Sequence, residues 1–248
     1  MVSQALQGVI RSLRIYLGPD APRGAMDELY RRFIEPGVLV FDIGAHVGDR
    51  VSSFRRLGAR VIAVEPQPLL FSALHHIHGR DPLVEIVDRA IGPDAGIREL
   101  FVNTANPTVS TVSEDFVHQA EGACGWEGQV WDDRMPIEMV TLDGLIARYG
   151  VPAFIKIDVE GFEDAVLLGL SQPVRALSFE FTTIARDVAM SCFDRLSSLG
   201  SYTYNVAMGE TQTLTFEHWC SDVEMAGYLS NVPHDANSGD VYALLTLS

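Results

Sequence analysis

Short apolar runs alternate with segments of helical periodicity along most of this chain. Apolar runs at residues 38–43 and 60–64 are each followed by a segment with one apolar face, at residues 49–57 and 67–77. Runs of this length predict buried strands, and their alternation with helices is typical of a parallel sheet covered by helices. The pattern then predicts strands at residues 83–91, 97–102, 153–158, 176–181, 202–207 and 241–247, and helices at residues 141–150, 161–170 and 186–199. We expect the last two strands to pair and close the sheet.

The first residues do not belong to this alternation. Residues 1–15 place four apolar side chains at helical spacing, with arginines between them: Leu6, Val9, Ile10 and Leu13. This spacing predicts a short docking helix rather than a signal peptide, and we assign it to an N-terminal helical cap at residues 1–35.

A long segment in the middle of the chain also lacks periodicity. Residues 104–134 are polar and contain several glycines, and a segment of that length without regular structure is usually functional or mobile. We therefore predict a lid loop over the functional site. Its two tryptophans, Trp126 and Trp131, fit that lid, with a satellite core as the alternative.

Composition narrows the class of protein. The 248 residues, 47% hydrophobic and 21% charged, suffice for one domain, and no linker or repeat divides residues 1–248. The 33 acidic residues against 18 Lys and Arg give a net charge of −15, which disfavours nucleic acid as a partner. Three distant cysteines suggest neither a disulfide framework nor a zinc site, so we expect a cytoplasmic protein. No apolar run approaches the roughly 18 residues of a membrane span.

The first predicted strand ends in an unusual turn, "FDIGAHVG". Gly44 and Gly48 suit a sharp strand-to-helix turn that a ligand approaches closely. The dinucleotide fingerprint G-x-G-x-x-G is replaced by D-x-G-x-x-x-G, in which Asp42 takes the first glycine position. A carboxylate would repel a pyrophosphate but would pair with a cationic group. The turn therefore indicates a ligand that is cationic at this end.

A second acid follows at the end of the second strand. Glu65 lies twenty-one residues beyond Gly44, where an acid accepts hydrogen bonds from the ribose hydroxyls of an adenosine. Adenosine with a cationic tail describes S-adenosylmethionine. Two alternatives remain, an NAD-type oxidoreductase, which the missing fingerprint weakens, and a non-catalytic cofactor-binding scaffold. A tight turn without any ligand explains the glycines but not the two acids.

Five segments, in order, resemble one known family. "FDIGAHVG", "AVEPQP", "DRAIG", "IKIDVEGFE" and "LSFEF", within residues 36–183, are similar to the FkbM family of S-adenosylmethionine-dependent methyltransferases. The resemblance implies the Rossmann-like class I methyltransferase fold, an α/β three-layer sandwich with a mostly parallel seven-stranded sheet and an antiparallel last strand. It also implies O-methylation of a hydroxyl on a small molecule, often a natural product or sugar.

The resemblance also implies which residues bind the cofactor. The residues that match the family's cofactor turn are Asp42, Gly44, Ala45 and Gly48, Glu65 matches the ribose acid, and Asp88 with Arg89 matches the adenine-side strand end. We also expect His46, Pro66 and Asp158 to contact the cofactor. His46 stands where the family often has Asn.

Catalytic candidates come from two later strand ends. Lys156, Asp158 and Glu160 alternate at the end of "IKIDVE", where a parallel sheet binds ligands at its carboxyl edge. Asp158 is the first candidate to face the cofactor and take up the acceptor proton, with Glu160 beside it. Glu180 in "LSFEF" would come from the adjacent strand end, and His46 is an alternative base. A Mg²⁺ ion held by Asp158, Glu180 and a substrate diol is an alternative that the sequence favours less.

Overall fold

A seven-stranded sheet forms the middle layer of the protein in the computed structural model, which describes residues 3–21 and 23–246. In spatial order its strands are β3 (Val84–Val87), β2 (Arg60–Val64), β1 (Leu39–Ile43), β7 (Phe154–Ile157), β8 (Ala176–Thr182), β10 (Ser238–Leu245) and β9 (Tyr202–Met208). The last strand, β10, is antiparallel to both neighbours, while the pairs from β3 to β8 are parallel. The predicted fold class is confirmed. Of the predicted segments 1–15 and 241–247, residues 1, 2 and 247 lie outside the described part.

Helices cover both faces of this sheet. They are α1 (Gln4–Tyr16), α2 (Arg23–Tyr30), α3 (Asp49–Arg56), α4 (Pro68–His78), α5 (Glu114–Ala120), α6 (Leu142–Tyr149), α7 (Glu163–Leu168), α8 (Arg186–Leu199) and α9 (Asp222–Asn231). Short 3₁₀ turns occupy Pro107–Val109 and His234–Ala236. Among the residues described, no helix has the length and apolar character needed to cross a membrane.

Alternation along the strands creates two cores. Phe41 of β1 packs in the larger core with α6, α7, α8 and α9, whereas its neighbour Val40 packs in a second core with α2, α3 and α4. Successive strand residues point to opposite faces, so both faces of a central strand must be apolar. This explains why β1 and β7 are apolar apart from one charged residue each near the carboxyl end, Asp42 in β1 and Lys156 in β7.

A second, three-stranded sheet was not predicted. It consists of β4 (Ala90–Ile91), β6 (Asp133–Val140) and β5 (Gly96–Val102), in that order. The prediction of one strand over residues 83–91 was wrong, because β3 and β4 belong to different sheets and Asp88 and Arg89 lie between them. The strand β6 escaped detection because most of its side chains are exposed or half-buried, and only Ile137 and Met139 are buried.

The segment 104–134 is more regular than predicted. It contains one 3₁₀ turn and α5, and its last two residues begin β6. Trp126 is buried in a small cluster with Phe116, so this part of the segment forms a satellite core. The two rings meet edge to face with their centroids 5.1 Å apart.

Candidate active site

A cleft of about 370 Å³ opens at the carboxyl ends of the central strands. Its floor comes from the ends of β1, β2, β7 and β8, and its walls from α1, the 3₁₀ turn Pro107–Val109 and the loops around Trp126 and Glu210. In open parallel sheets this edge is where ligands bind, since the loops diverge there. Of the predicted site residues, the cleft is lined by Gly44, Ala45, His46, Glu65, Pro66, Arg89, Asp158, Glu160 and Glu180.

The turn after β1 requires its glycines for packing. Gly44 has φ +81°, and a Cβ there would lie 1.8 Å from the carbonyl oxygen of Asp158. Gly48 has φ +84°, and a Cβ would lie 2.5 Å from Leu74. Both the left-handed backbone and the lack of space exclude a side chain. The turn thereby brings the end of β1 against the end of β7.

His46 lies at the tip of this turn. Its φ of +49° is in the left-handed region, which His, Asn and Asp enter more readily than most residues. Its ring meets Tyr16 edge to face at 5.2 Å, and its Nε2 lies 3.4 Å from the hydroxyl of Thr108. Burial lowers the pKa of His46 to about 4, so its imidazole is neutral at pH 7.

Glu65 anchors the turn from the end of β2. Its carboxylate accepts hydrogen bonds of 2.9 Å from the backbone N–H groups of His46 and Gln67. Burial raises the pKa of Glu65 to about 7, although these two hydrogen bonds favour the ionised form. A carboxylate has about four lone-pair positions, so it retains capacity for further donors.

Three predicted cofactor residues do not line the cleft. Asp42 is completely buried, and neither of its oxygens has a hydrogen-bond partner among the described residues. Burial raises the pKa of Asp42 to about 7, against the opposing effect of Lys156. Gly48 packs against Leu74 and His78 of α4 and does not reach the cleft. Asp88 is exposed and pairs at 2.6 Å with Arg89, which does reach the cleft.

Three carboxyl groups meet at the ends of β7 and β8. Asp158, Glu160 and Glu180 each place an oxygen within 4.8 Å of the others. Burial alone would raise the pKa of Asp158, but the Nζ of Lys156, 2.5 Å from its Oδ2, holds that pKa below its usual range. Burial and the neighbouring carboxylates raise the pKa values of Glu160 and Glu180. Asp158 is therefore the member of the cluster that ionises most readily.

Two side chains of the site, Tyr16 and Arg50, come from other segments and were not predicted from the sequence. Tyr16, at the end of α1, lines the cleft, and burial together with the charge of Glu210 raises its pKa to about 12. Arg50 is buried beside Asp49, and its Nη2 lies 2.9 Å from the Oε2 of Glu210. The position of Arg50 in the first turn of α3, directly after the glycine turn, was the signal that could have identified it.

Comparison with known proteins decides the family. The sequence profile of the methyltransferase FkbM domain matches residues 42–220, which include the turn after β1 and the acidic cluster. The chain belongs to this family. The predicted S-adenosylmethionine cofactor and methyltransferase class are thereby confirmed.

Two similar proteins extend this result. The 31-O-demethyl-FK506 methyltransferase FkbM of Streptomyces tacrolimicus is 31% identical over an alignment of 158 residues, which covers 55% of this chain and 61% of that relative. The matched region thus spans less than two thirds of that relative. The TehB-like SAM-dependent methyltransferase of Corynebacterium glutamicum is 10% identical, with a TM-score of 0.51 over 98% of both chains. At that identity the likeness concerns the fold alone.

Proposed function

We propose that this FkbM-family protein transfers the methyl group of S-adenosylmethionine to a hydroxyl oxygen of a small molecule. The observation that carries the proposal is an ionised Asp158 in a cluster of carboxyl groups, next to the turn after β1, where the resemblance to the family led us to expect the cofactor. The similar Streptomyces protein is a 31-O-demethyl-FK506 methyltransferase, and its name supports a hydroxyl on a small natural product as the acceptor.

The residues of the cleft suit a ligand with an adenosine at one end and a positive charge at the other. Glu65, at the end of β2, has lone pairs free for ribose hydroxyls. The acidic cluster supplies negative charge on the other side of the cleft, at the carboxyl ends of β7 and β8. Arg50 and Lys156 are the buried cations nearby, and each is already paired with a carboxylate. The excess negative charge therefore faces the cleft, where it attracts a sulfonium.

When bound, S-adenosylmethionine supplies an electrophilic methyl group on a positively charged sulfur. We assign to Asp158 the task of orienting the acceptor hydroxyl and receiving the proton that this hydroxyl would lose when the methyl group passes from sulfur to its oxygen. Lys156 keeps Asp158 ionised until then, through the 2.5 Å contact. The proton then lies on Asp158, within the cluster that Glu160 and Glu180 complete. The neutral His46 is the remaining candidate to accept it.

A labelled-methyl assay over a panel of hydroxyl compounds tests this proposal. Asp158→Asn keeps the shape of the side chain but removes its charge, so we expect turnover to fall by roughly 10²–10⁴-fold, the range for a general base. Affinity for S-adenosylhomocysteine should change much less. Asp94→Asn, at an exposed turn, serves as the matched control with unchanged turnover. Wild-type turnover in Asp158→Asn would remove Asp158 from the mechanism, and methyl transfer only to nitrogen or carbon would refute O-methylation.

A further inference from the structure

The acidic cluster has the dimensions of a cation site. Asp158, Glu160 and Glu180 each offer one carboxylate oxygen, and these oxygens lie within 4.8 Å of one another. Mg²⁺ holds oxygen ligands at about 2.0–2.1 Å and Ca²⁺ at about 2.3–2.6 Å, so oxygens on one ion lie within about 5 Å of each other. Only small side-chain movements are needed to bring all three onto a single ion.

Unpartnered oxygens supply a second observation. Glu160 is 6% exposed and lines the cleft, and no described residue donates a hydrogen bond to its carboxyl group. The Oε2 of Glu180 is buried and likewise has no partner among the residues described. A buried carboxyl group without a partner is costly, because it loses its hydration and gains nothing in return. Two such groups directed at the same point indicate a ligand between them.

The charges identify the class of that ligand. Carboxyl groups bind a cation in their deprotonated form, and three carboxylates together with Lys156 would sum to a charge of −2, which one divalent cation balances. Ligands that are all carboxylate oxygens suit the hard cations Mg²⁺, Mn²⁺ and Ca²⁺, whereas zinc sites usually include nitrogen or sulfur. We infer that Asp158, Glu160 and Glu180 bind one hard divalent cation at the floor of the cleft.

Such an ion would also select the acceptor. Three protein ligands leave about three coordination positions of an octahedral ion open. In this site the open positions face the cleft. This step rests on the proposed function, since it places the oxygens of the acceptor in those positions. The preferred acceptor then carries a second oxygen beside the methylated hydroxyl, as in a vicinal diol or an α-hydroxy ketone, because both oxygens bind the ion.

Binding can be measured without cofactor or acceptor. The protein is first treated with EDTA, and the EDTA is then removed by dialysis. Calorimetry follows its titration with MgCl₂, MnCl₂ and CaCl₂, and electron paramagnetic resonance measures free Mn²⁺. We expect one site per chain and a melting temperature that rises with added ion. Glu160→Gln and Glu180→Gln should each weaken binding by about tenfold or more. Glu210→Gln, which removes another carboxylate of the same cleft, should retain wild-type affinity.

The outcomes separate this inference from the proposed function. Absence of binding of all three ions at millimolar concentration would overturn the cation site and leave methyl transfer to be judged by its own assay. Equal affinity in wild type, Glu160→Gln and Glu180→Gln would also overturn it, by showing that the ion binds elsewhere. If the ion binds but a vicinal diol is methylated no better than the matching mono-alcohol, the assignment of the acceptor oxygens is wrong.

Discussion

At the residue scale, the site combines buried carboxyl groups whose pKa values move in opposite directions. Lys156 holds the pKa of Asp158 low, whereas burial raises the pKa of Glu65 to about 7. At neutral pH one group is fully ionised and the other is near its midpoint. Two acids at the ends of β2 and β7, on either side of β1, are thereby suited to different tasks, proton uptake at Asp158 and hydroxyl recognition at Glu65.

Glu65 provides the first prediction at this scale. If it accepts hydrogen bonds from both ribose hydroxyls, Glu65→Ala should weaken binding of S-adenosylhomocysteine by about 1.5–3 kcal/mol, the range for hydrogen bonds to a charged group. Glu65→Gln keeps one acceptor oxygen and should lose less. Calorimetric titration measures both, and circular dichroism checks that the turn at His46, which Glu65 also holds, remains folded. Unchanged affinity in Glu65→Ala would place the adenosine elsewhere.

At the element scale, α1 reaches the cleft because one of its residues is glycine. Gly8 packs against the chain before the 3₁₀ turn, and a Cβ there would lie 2.6 Å from the carbonyl oxygen of Thr104. This close approach brings Ser12 and Tyr16, further along the same helix, to the wall of the cleft. A helix predicted only as a docking element therefore supplies part of the site.

A pair of glycine substitutions tests this packing. In an exposed helix Gly→Ala stabilises by up to about 1 kcal/mol, because glycine has the greater backbone freedom when unfolded. Gly8→Ala should instead lower the melting temperature, since a backbone oxygen blocks the new methyl group. Gly24→Ala in α2 has nothing within 4 Å and is the matched control, with an unchanged or raised melting temperature. A stabilised Gly8→Ala would show that α1 does not pack this closely.

The segment 104–134 remains a predicted lid, now with a folded core. Trp131 donates a 2.8 Å hydrogen bond from Nε1 to the carbonyl of Val109, and Val109 lines the cleft. In a Trp219→Phe variant, tryptophan fluorescence comes only from the two tryptophans of this segment. Addition of S-adenosylhomocysteine should change that fluorescence and should slow proteolysis within the segment. Identical spectra and digestion with and without the ligand would argue against a lid.

The sequence predicted most elements of the main sheet because apolar runs and helical periodicity mark buried strands and helices directly. It missed β6 and α9, whose side chains are largely exposed and follow neither pattern clearly. The acids at strand ends were found because topology alone brings Glu65, Asp158 and Glu180 to one edge. Arg50 and Tyr16 were not found as site residues, because only tertiary packing places them at the cleft.

At the scale of the whole molecule, folding brings more negative than positive charge to one edge of the sheet. Asp42 illustrates the cost, since it is buried without a hydrogen-bond partner and its neighbouring charges are Asp49, Arg50, Lys156 and Asp158. Because burial raises its pKa to about 7, the folded protein holds a proton there that the unfolded chain releases near pH 4. Such a group contributes stability at low pH that is lost as the pH rises through 7.

The melting temperature should therefore fall between pH 6.5 and 8 in the presence of EDTA. Asp42 and Glu65 each lose about 1 kcal/mol of stabilisation over this range, which amounts to a few degrees. His46, whose pKa is lowered to about 4, acts in the opposite direction but only below about pH 6.5. Asp42→Asn should flatten the profile. A melting temperature that rises over this range would contradict the assigned protonation states.

The most direct test of the proposed site is a crystal structure of the protein with S-adenosylhomocysteine bound. We predict that the ribose hydroxyls lie within about 3 Å of the Glu65 carboxylate. We also predict that the sulfur faces Asp158, Glu160 and Glu180 across the cleft. An adenosine bound away from Glu65, or a sulfur directed away from the three carboxyl groups, would contradict it.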